Sequence, residues 1–185
     1  MKHWTRNIPG FFLNILKRTF LASFEAKEVK RIYNYRKVPN LFETSGQPDK
    51  QQLKLLAKKG YEVVINLAPS SLIEGSVINE AEILEKENVE YINIPVDFFK
   101  PTERDFKEFV SNLEKNKNKK IWIHCAANKR VSAFVYKYRR DILKLSHDEI
   151  IGDMEAIWTP NKIWNSFLDL KLSLIHISEP TRLER

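Results

Sequence analysis

Three short apolar runs alternate with amphipathic segments along this chain, and this order restricts the fold more than any other feature. The runs are Val63–Leu67, Tyr91–Ile94 and Ile121–Ile123, and a segment with helical spacing of apolar residues follows each of them. Runs that are apolar throughout are typical of parallel strands covered on both faces, and parallel strands need crossover connections. We therefore predict an α/β fold, a three-layer sandwich whose mainly parallel central sheet is flanked by helices.

Further elements are predicted around these runs from apolar spacing and from end signals. Thr102 and Asp105 form a capping-box pattern that opens a helix. A short strand is predicted at Leu41–Ser45. The other predicted helices are about Asp49–Lys59, Val77–Glu87, Val131–Leu143, Ser146–Trp158 and Asn161–Leu170.

The formal net charge of +7 is concentrated at the N-terminus of the 185 residues. Residues 1–40 contain nine Lys or Arg and two Glu, so the rest of the chain sums to zero. A neutral body lacks the basic surface that binds a nucleic-acid backbone, and we predict no nucleic-acid partner. Residues 1–31 form a basic segment with an amphipathic helix predicted at Pro9–Phe24. This helix either docks on the body or contacts the inner face of the membrane peripherally.

Between the basic N-terminal segment and a C-terminal tail, we predict one main domain, residues 32–171. The last fourteen residues, Leu172–Arg185, resemble a translated sequencing adaptor and are predicted to be a non-native tail. A single cysteine, Cys125, excludes a disulfide framework and favours a reducing, cytoplasmic compartment. We predict no metal site and no cofactor, because His3 and His147 have no ligand partners at a useful spacing.

The candidate chemistry lies where the third apolar run ends. His124 and Cys125 come directly after the run, and a short loop and a helix follow them. Ligands of open α/β sheets bind at this edge. The N–H groups of a loop and a helix N-terminus bind anions and stabilise a thiolate. A thiolate nucleophile below a bound phosphate is the arrangement of cysteine phosphatases, and a buried, unreactive cysteine is the alternative.

Three segments of the chain carry a resemblance to a known family. They read VPNLFETSGQPDKQQLKLLAKKGYEVVINL, IPVDFFKPTERDFKEF and HCAANKRVSAFVYKYR, within about Tyr33 to Phe167. In content and order they resemble the bacterial tyrosine and dual-specificity phosphatase-like family. The nearest branch includes the phosphatase-like domain of beta-lactamase-hydrolase-like proteins. The resemblance implies the three-layer α/β fold and hydrolysis of a phosphate monoester, on a phosphorylated protein or a small phosphoester, through a phosphocysteine.

The same resemblance implies a role for each residue of the candidate site. Cys125 corresponds to the nucleophile, and Asp97 corresponds to the general acid on a neighbouring loop. His124 would orient the loop, and Ser132 corresponds to the hydroxyl that helps to release the thiolate. The phosphate would be bound by Ala126, Ala127, Asn128, Lys129, Arg130 and Val131.

The loop departs from the family's pattern at its arginine. The family places five residues between cysteine and arginine, which puts Val131 in the arginine position, whereas Arg130 comes one residue early. Asn128 stands at the usual glycine position, and Asn tolerates a left-handed backbone. Either a tighter loop lets Arg130 bind phosphate, or the chain is a weakened or inactive phosphoryl-binding protein. The four residues between Cys125 and Arg130 also fit a rhodanese-type sulfurtransferase.

Overall fold

The apolar runs pair side by side in one sheet of the computed structural model, which describes residues 29–69 and 79–170. Five strands in the described part of the chain pair in the order β1-β2-β5-β3-β4. They are β1 (Arg36–Val38), β2 (Phe42–Ser45), β3 (Val63–Asn66), β4 (Glu90–Asn93) and β5 (Ile121–His124). Strands β2 to β5 pair in parallel, and β1 pairs antiparallel with β2 at the edge. The predicted α/β fold with a mainly parallel sheet is confirmed.

Six α-helices of the described residues surround this sheet, and a short 3-10 helix (Val29–Arg31) precedes it. They are α1 (Lys50–Lys58), α2 (Glu80–Glu85), α3 (Glu103–Lys115), α4 (Lys129–Asp141), α5 (His147–Glu155) and α6 (Lys162–Phe167). The predicted capping box is present before α3. Thr102 Oγ1 accepts a bond from the Asp105 N–H at 3.2 Å, and the Asp105 carboxylate accepts one from the Thr102 N–H at 3.0 Å. None of the described helices is long and apolar enough to span a membrane.

Two apolar clusters cover opposite faces of the sheet. Val63 and Ile65 belong to the larger cluster, whereas Val64 between them belongs to the smaller one. Alternate residues of a strand point to opposite faces, so the sheet is the middle layer of three. Helices α3, α4 and α6 pack into the larger cluster through Phe109, Phe134 and Trp164, and helices α1 and α2 pack into the smaller one through Leu53, Leu56 and Leu84.

Two differences from the sequence prediction bear on the site. Helix α4 begins at Lys129, two residues before the predicted start, so Arg130 is helical. Strand β1 was not predicted, because two of its three residues are exposed and its sequence has no apolar alternation. The N-terminal helix at Pro9–Phe24 and the tail at Leu172–Arg185 lie outside the described residues, and the predicted domain boundaries stay predictions.

Candidate active site

Cys125 lies at the carboxyl edge of the parallel strands. The ends of three strands are level there, because His124 pairs with Ser45 on one side and with Asn66 on the other. Cys125 follows directly, and its N–H donates a long bond of 3.4 Å to the Ser45 carbonyl. The residue is only 1% exposed. The cysteine is therefore fixed at the sheet edge where the sequence predicted a ligand site.

The loop after Cys125 is held against the turn that follows β2. Ala127 forms an isolated antiparallel bridge with Gly46, and the Gln47 N–H donates to the Ala126 carbonyl at 3.1 Å. A Cβ on Gly46 would lie 2.8 Å from Tyr33 Cδ1 and 3.0 Å from the Ala126 oxygen. Carbon atoms do not pack at such distances, so a side chain at Gly46 would push the loop away. The glycine thus sets the position of the loop.

Asn128 ends the loop in a left-handed conformation, with φ of 62°. Its amide nitrogen donates to the Asn34 carbonyl at 2.7 Å and to Thr44 Oγ1 at 3.0 Å. The Asn128 side chain makes no capping bond to α4. The first N–H groups of a helix have no intrahelical acceptor and bind anions readily. Asn128 therefore fixes the loop without occupying the helix N-terminus.

Arg130 and Val131 face different parts of the molecule. Val131 is fully buried in the larger apolar cluster. The Arg130 guanidinium carbon lies 5.4 Å from the centre of the Phe98 ring. Successive helical residues point about 100° apart, so the early start of α4 turns position 131 into the core. The arginine at position 130 contacts the segment that carries Asp97.

Asp97 lies in an exposed turn after β4. Its Oδ1 accepts a bond from the Phe99 N–H at 2.8 Å. The neighbouring Phe98 anchors this turn, because its carbonyl accepts a bond from Trp164 Nε1 at 2.9 Å and its ring lies 5.7 Å from that of Trp158. Asp97 therefore lies in a turn that is packed on Trp158 and on α6.

Ser132 and Lys129 contact the same indole. The Ser132 hydroxyl donates to the Lys129 carbonyl at 3.0 Å and accepts a bond from Trp158 Nε1 at 3.1 Å. Lys129 Nζ lies 5.6 Å from the centre of the Trp158 ring. Burial lowers the pKa of Lys129, and the charge of Cys125 acts against this shift. Lys129 is thus close enough to Cys125 to interact with its charge, and the Ser132 proton points to a carbonyl.

A buried polar group beside His124 was not found from the sequence. The Glu80 carboxylate accepts bonds from Gln47 Nε2, from Asn66 Nδ2 at 2.9 Å and from the Tyr91 hydroxyl at 2.8 Å. His124 Nε2 lies 3.6 Å from the same carboxylate. A carboxylate residue in the first turn of a helix is usually exposed, and its favourable interaction with the helix dipole is then enough to explain its position. The one sequence feature that pointed to this buried group was Asn66, a polar residue inside an apolar run that needs a buried hydrogen-bond partner.

No group of three or more His, Cys, Asp or Glu within residues 29–69 and 79–170 is arranged to hold a metal ion. The candidate site residues in that part of the chain contribute a thiol, backbone amides, cationic side chains and the Asp97 carboxyl group. Cys125 and residues 126–131 lie together, and Phe98 joins the Asp97 turn to Arg130. This arrangement can bind an anion beside a sulfur nucleophile.

Comparison with known proteins agrees with this arrangement. Residues 21–162 match the family model described as "DSP-PTPase phosphatase fused to NAD+ Kinase". A putative phosphatase (DUF442) from Shewanella putrefaciens CN-32 is 30% identical, covers 76% of this chain and 92% of its own, and superposes with a TM-score of 0.67. A comparison with curated proteins finds no match.

Two more distant structures share the fold. The core catalytic domain of the PP-IP phosphatase SIW14 from S. cerevisiae, solved with citrate, is 14% identical over 75% of this chain and 85% of its own, with a TM-score of 0.62. TpbA of P. aeruginosa, solved with phosphotyrosine, is 14% identical over 70% of this chain and 75% of its own, with a TM-score of 0.56. The fold is therefore that of the cysteine phosphatases.

Proposed function

The chain belongs to the family of DSP-PTPase phosphatases described as fused to NAD+ kinase, and from this membership we propose that it hydrolyses phosphate monoesters through a phosphocysteine at Cys125. The observation that carries the proposal is the place of Cys125 between the end of β5 and the first turn of α4. A phosphoryl group there would meet the loop amides and the helix N-terminus. The substrate is a phosphorylated protein or a small phosphoester.

The proposed reaction has two steps. In the first, Cys125 Sγ attacks phosphorus, an S–P bond forms, and the ester P–O bond breaks. The Asp97 carboxyl group gives its proton to the leaving oxygen. In the second, water attacks phosphorus and gives a proton to the Asp97 carboxylate, the S–P bond breaks, and phosphate leaves with the thiolate restored. Asp97 Oδ1 accepts the Phe99 N–H, so we assign the moving proton to Oδ2.

Arg130 supplies the side-chain contact to the phosphate in this proposal. The left-handed Asn128 precedes a helix that begins at Lys129, two residues before the predicted start, and Arg130 then falls in the first helical turn. Its guanidinium packs on Phe98, so it is held on the side of the Asp97 turn. A guanidinium donates two parallel bonds to phosphoryl oxygens. A one-residue-shorter loop with Arg130 as ligand is therefore the working geometry that we propose.

One observation favours a second candidate, a phosphoryl-binding protein without turnover. The groups assigned to turnover are engaged elsewhere: the Ser132 hydroxyl donates to the Lys129 carbonyl and Asp97 Oδ1 accepts from its own turn. The groups assigned to binding, the loop amides and Arg130, do not depend on either contact. The family model and the structural neighbours are phosphatases, so the sulfur-transfer alternative is not carried forward.

A substrate panel tests the proposal against its alternatives. The wild type is assayed with p-nitrophenyl phosphate, a phosphotyrosine peptide, a phosphoserine peptide and NADP+, the last because the family description includes NAD+ kinase. We expect the wild type to hydrolyse at least one of these esters, and Cys125→Ser to lower the turnover rate at least about 1,000-fold. After acid quenching, Cys125 of the wild type should carry the added mass of one phosphoryl group. The exposed Glu108→Gln variant serves as control. Vanadate binding without turnover of any ester would instead support the binding protein.

We also propose that residues 1–31 bring the protein to anionic membrane surfaces. The support is the charge distribution, since all of the net charge lies in residues 1–40, and each basic residue near an anionic leaflet contributes about 1 kcal/mol. We expect the full chain to sediment with anionic vesicles at low salt. A chain beginning at Glu28, which keeps the 3-10 helix at Val29–Arg31, should stay in the supernatant. Equal sedimentation of the two chains would contradict the proposal.

A further inference from the structure

Glu80 is a buried carboxylate that the proposed reaction does not use. The residue is 4% exposed, and a buried charge is costly unless it is hydrogen-bonded and compensated. Its two oxygens accept three hydrogen bonds, from Gln47, Asn66 and Tyr91. The Tyr91 hydroxyl itself accepts a bond from Asn66 Nδ2 at 3.1 Å, so its proton is directed to Glu80. Glu80 is surrounded by donors, as an ionised carboxylate requires.

The partners of Glu80 come from the carboxyl ends of the parallel strands. Asn66 ends β3, His124 ends β5, and Gln47 follows β2 in the turn that holds the catalytic loop. Tyr91 lies on the neighbouring strand β4. One side chain of α2 therefore connects the strand ends immediately below the loop. The remaining side chain near Glu80 is the imidazole of His124, which is fully buried and precedes Cys125.

We propose that Glu80 is a positioning residue of the phosphatase reaction, which holds the His124 imidazole in one orientation and in its doubly protonated form. The observation is the distance of 3.6 Å between His124 Nε2 and the Glu80 carboxylate. A protonated imidazole next to Cys125 stabilises the thiolate. The inference rests on the proposed function, because it concerns the thiol of that same site.

Tyr91 and two cationic residues of α4 are other titratable groups around this pair. Burial and the charge of Glu80 raise the pKa of Tyr91, so its hydroxyl remains a donor. On the loop side, Lys129 interacts with the charge of Cys125, and burial lowers the pKa of this lysine. Arg130, in the first turn of α4, carries its charge throughout the neutral pH range. Lys129 and Arg130 are the same in the wild type and in a variant at Glu80. A change in the pH profile is therefore assigned to the His124–Cys125 pair.

The experiment measures the rate at which iodoacetamide alkylates Cys125 between pH 4.5 and 9. Alkylation needs the thiolate but no turnover, so it tests Glu80 separately from the phosphatase proposal. We expect Glu80→Gln to move the midpoint of the profile up by about one pH unit, which slows alkylation at pH 6 about 10-fold. The matched control is Tyr91→Phe, which removes one bond to the same carboxylate and keeps its charge. Its midpoint should equal that of the wild type.

A double-mutant cycle identifies the route of the effect. In a His124→Asn background, Glu80→Gln should produce no further shift of the midpoint. A shift that persists there, or an equal shift in Tyr91→Phe, would overturn the proposal. If Glu80→Gln does not fold, nitrogen NMR of the wild-type imidazole decides, with the His124 signal assigned from the His124→Asn spectrum. Both ring nitrogens should carry protons at pH 7, and a neutral ring would overturn the inference.

The two proposals fail in different ways. An alkylation profile that shifts as expected, together with no turnover of any ester, would contradict only the phosphatase function. Turnover of an ester together with an unshifted profile in Glu80→Gln would contradict only the role of Glu80. In an active protein, the same variant should lower kcat at pH 6 more than it raises KM, because the substrate contacts are unchanged.

Discussion

The Arg130 guanidinium lies 5.4 Å from the centre of the Phe98 ring, and Phe98 is the residue after Asp97. This contact joins the residue that we assign to phosphate binding to the turn that carries the proposed acid. The same ring packs on Trp158 and Trp164. A displacement of the turn would therefore move the arginine, and the proposed phosphate binding and protonation would both depend on the Phe98 side chain.

Phe98→Leu should lower kcat/KM for p-nitrophenyl phosphate about 10-fold. Leucine keeps an apolar side chain but removes the cation–π contact, which contributes about 0.5–2 kcal/mol. The control is Phe99→Leu, because Phe99 is 75% exposed and its ring also contacts Phe98, at 5.7 Å between the ring centres. Steady-state kinetics with both variants checks the expectation. Equal losses in the two variants would show that the contact with Arg130 is unimportant.

Gly46→Ala should lower kcat/KM at least about 10-fold, because the new methyl group displaces the backbone at Ala126 and small displacements of catalytic groups are costly. Gly152→Ala is the matched control, since a Cβ there meets nothing within 4 Å. In α5 that change should stabilise the helix by about 0.5–1 kcal/mol and leave kinetics unchanged. Urea unfolding and kinetics of both variants test this. Normal activity in Gly46→Ala would mean that the loop adjusts freely.

Moving the arginine to the position usual in the family should not restore or improve activity. In the Arg130→Ala, Val131→Arg double variant, a charge would replace a fully buried apolar side chain. An unpaired buried charge costs about 3–5 kcal/mol, and each 1 kcal/mol lowers Tm by about 2–4 °C at this size. We expect a Tm at least about 6 °C lower and no more activity than Arg130→Ala alone. Higher activity would mean that side chain 131 reaches the phosphate.

Asp141 should stabilise the protein above about pH 4 and not in stronger acid. Burial raises its pKa, but Arg140 and Lys137 lower it more, so the net shift is downward. A carboxyl group with a lowered folded-state pKa contributes stability above its unfolded value of about 3.9, and this contribution is lost as the pH falls through the folded value. Asp141→Asn should lower the free energy of unfolding at pH 7 by about 1 kcal/mol.

Urea unfolding at pH 7 and at about pH 2 measures this difference. The gap between Asp141→Asn and the wild type should close in acid, whereas the exposed Glu108→Gln variant should show little difference at either pH. A gap of equal size at both pH values would mean that Asp141 acts through packing and not through its charge.

Sequence patterns were sufficient for the layers of the fold but not for the details of the site. Runs such as Val63–Leu67 indicate buried parallel strands whatever surrounds them, and the strand end at Cys125 follows from the same pattern. The early start of α4 depends on the contacts of Asn128 with Asn34 and Thr44, which are distant in sequence. Glu80 was missed for the same reason, because its donors come from separate segments.

The bond from Asn128 to the Asn34 carbonyl joins residues 94 positions apart, and this has a consequence for the order in which the protein is made. During synthesis, the segment before β1 leaves the ribosome long before Cys125 does. The proposed anion site cannot form on the nascent chain until the start of α4 has emerged and Asn128 has bonded to that early segment. A shortened chain that begins at β2 would carry every residue proposed for catalysis. Asn128 would keep Thr44 as an acceptor but lose the Asn34 carbonyl, and the Ala127 carbonyl would lose its Asn34 donor.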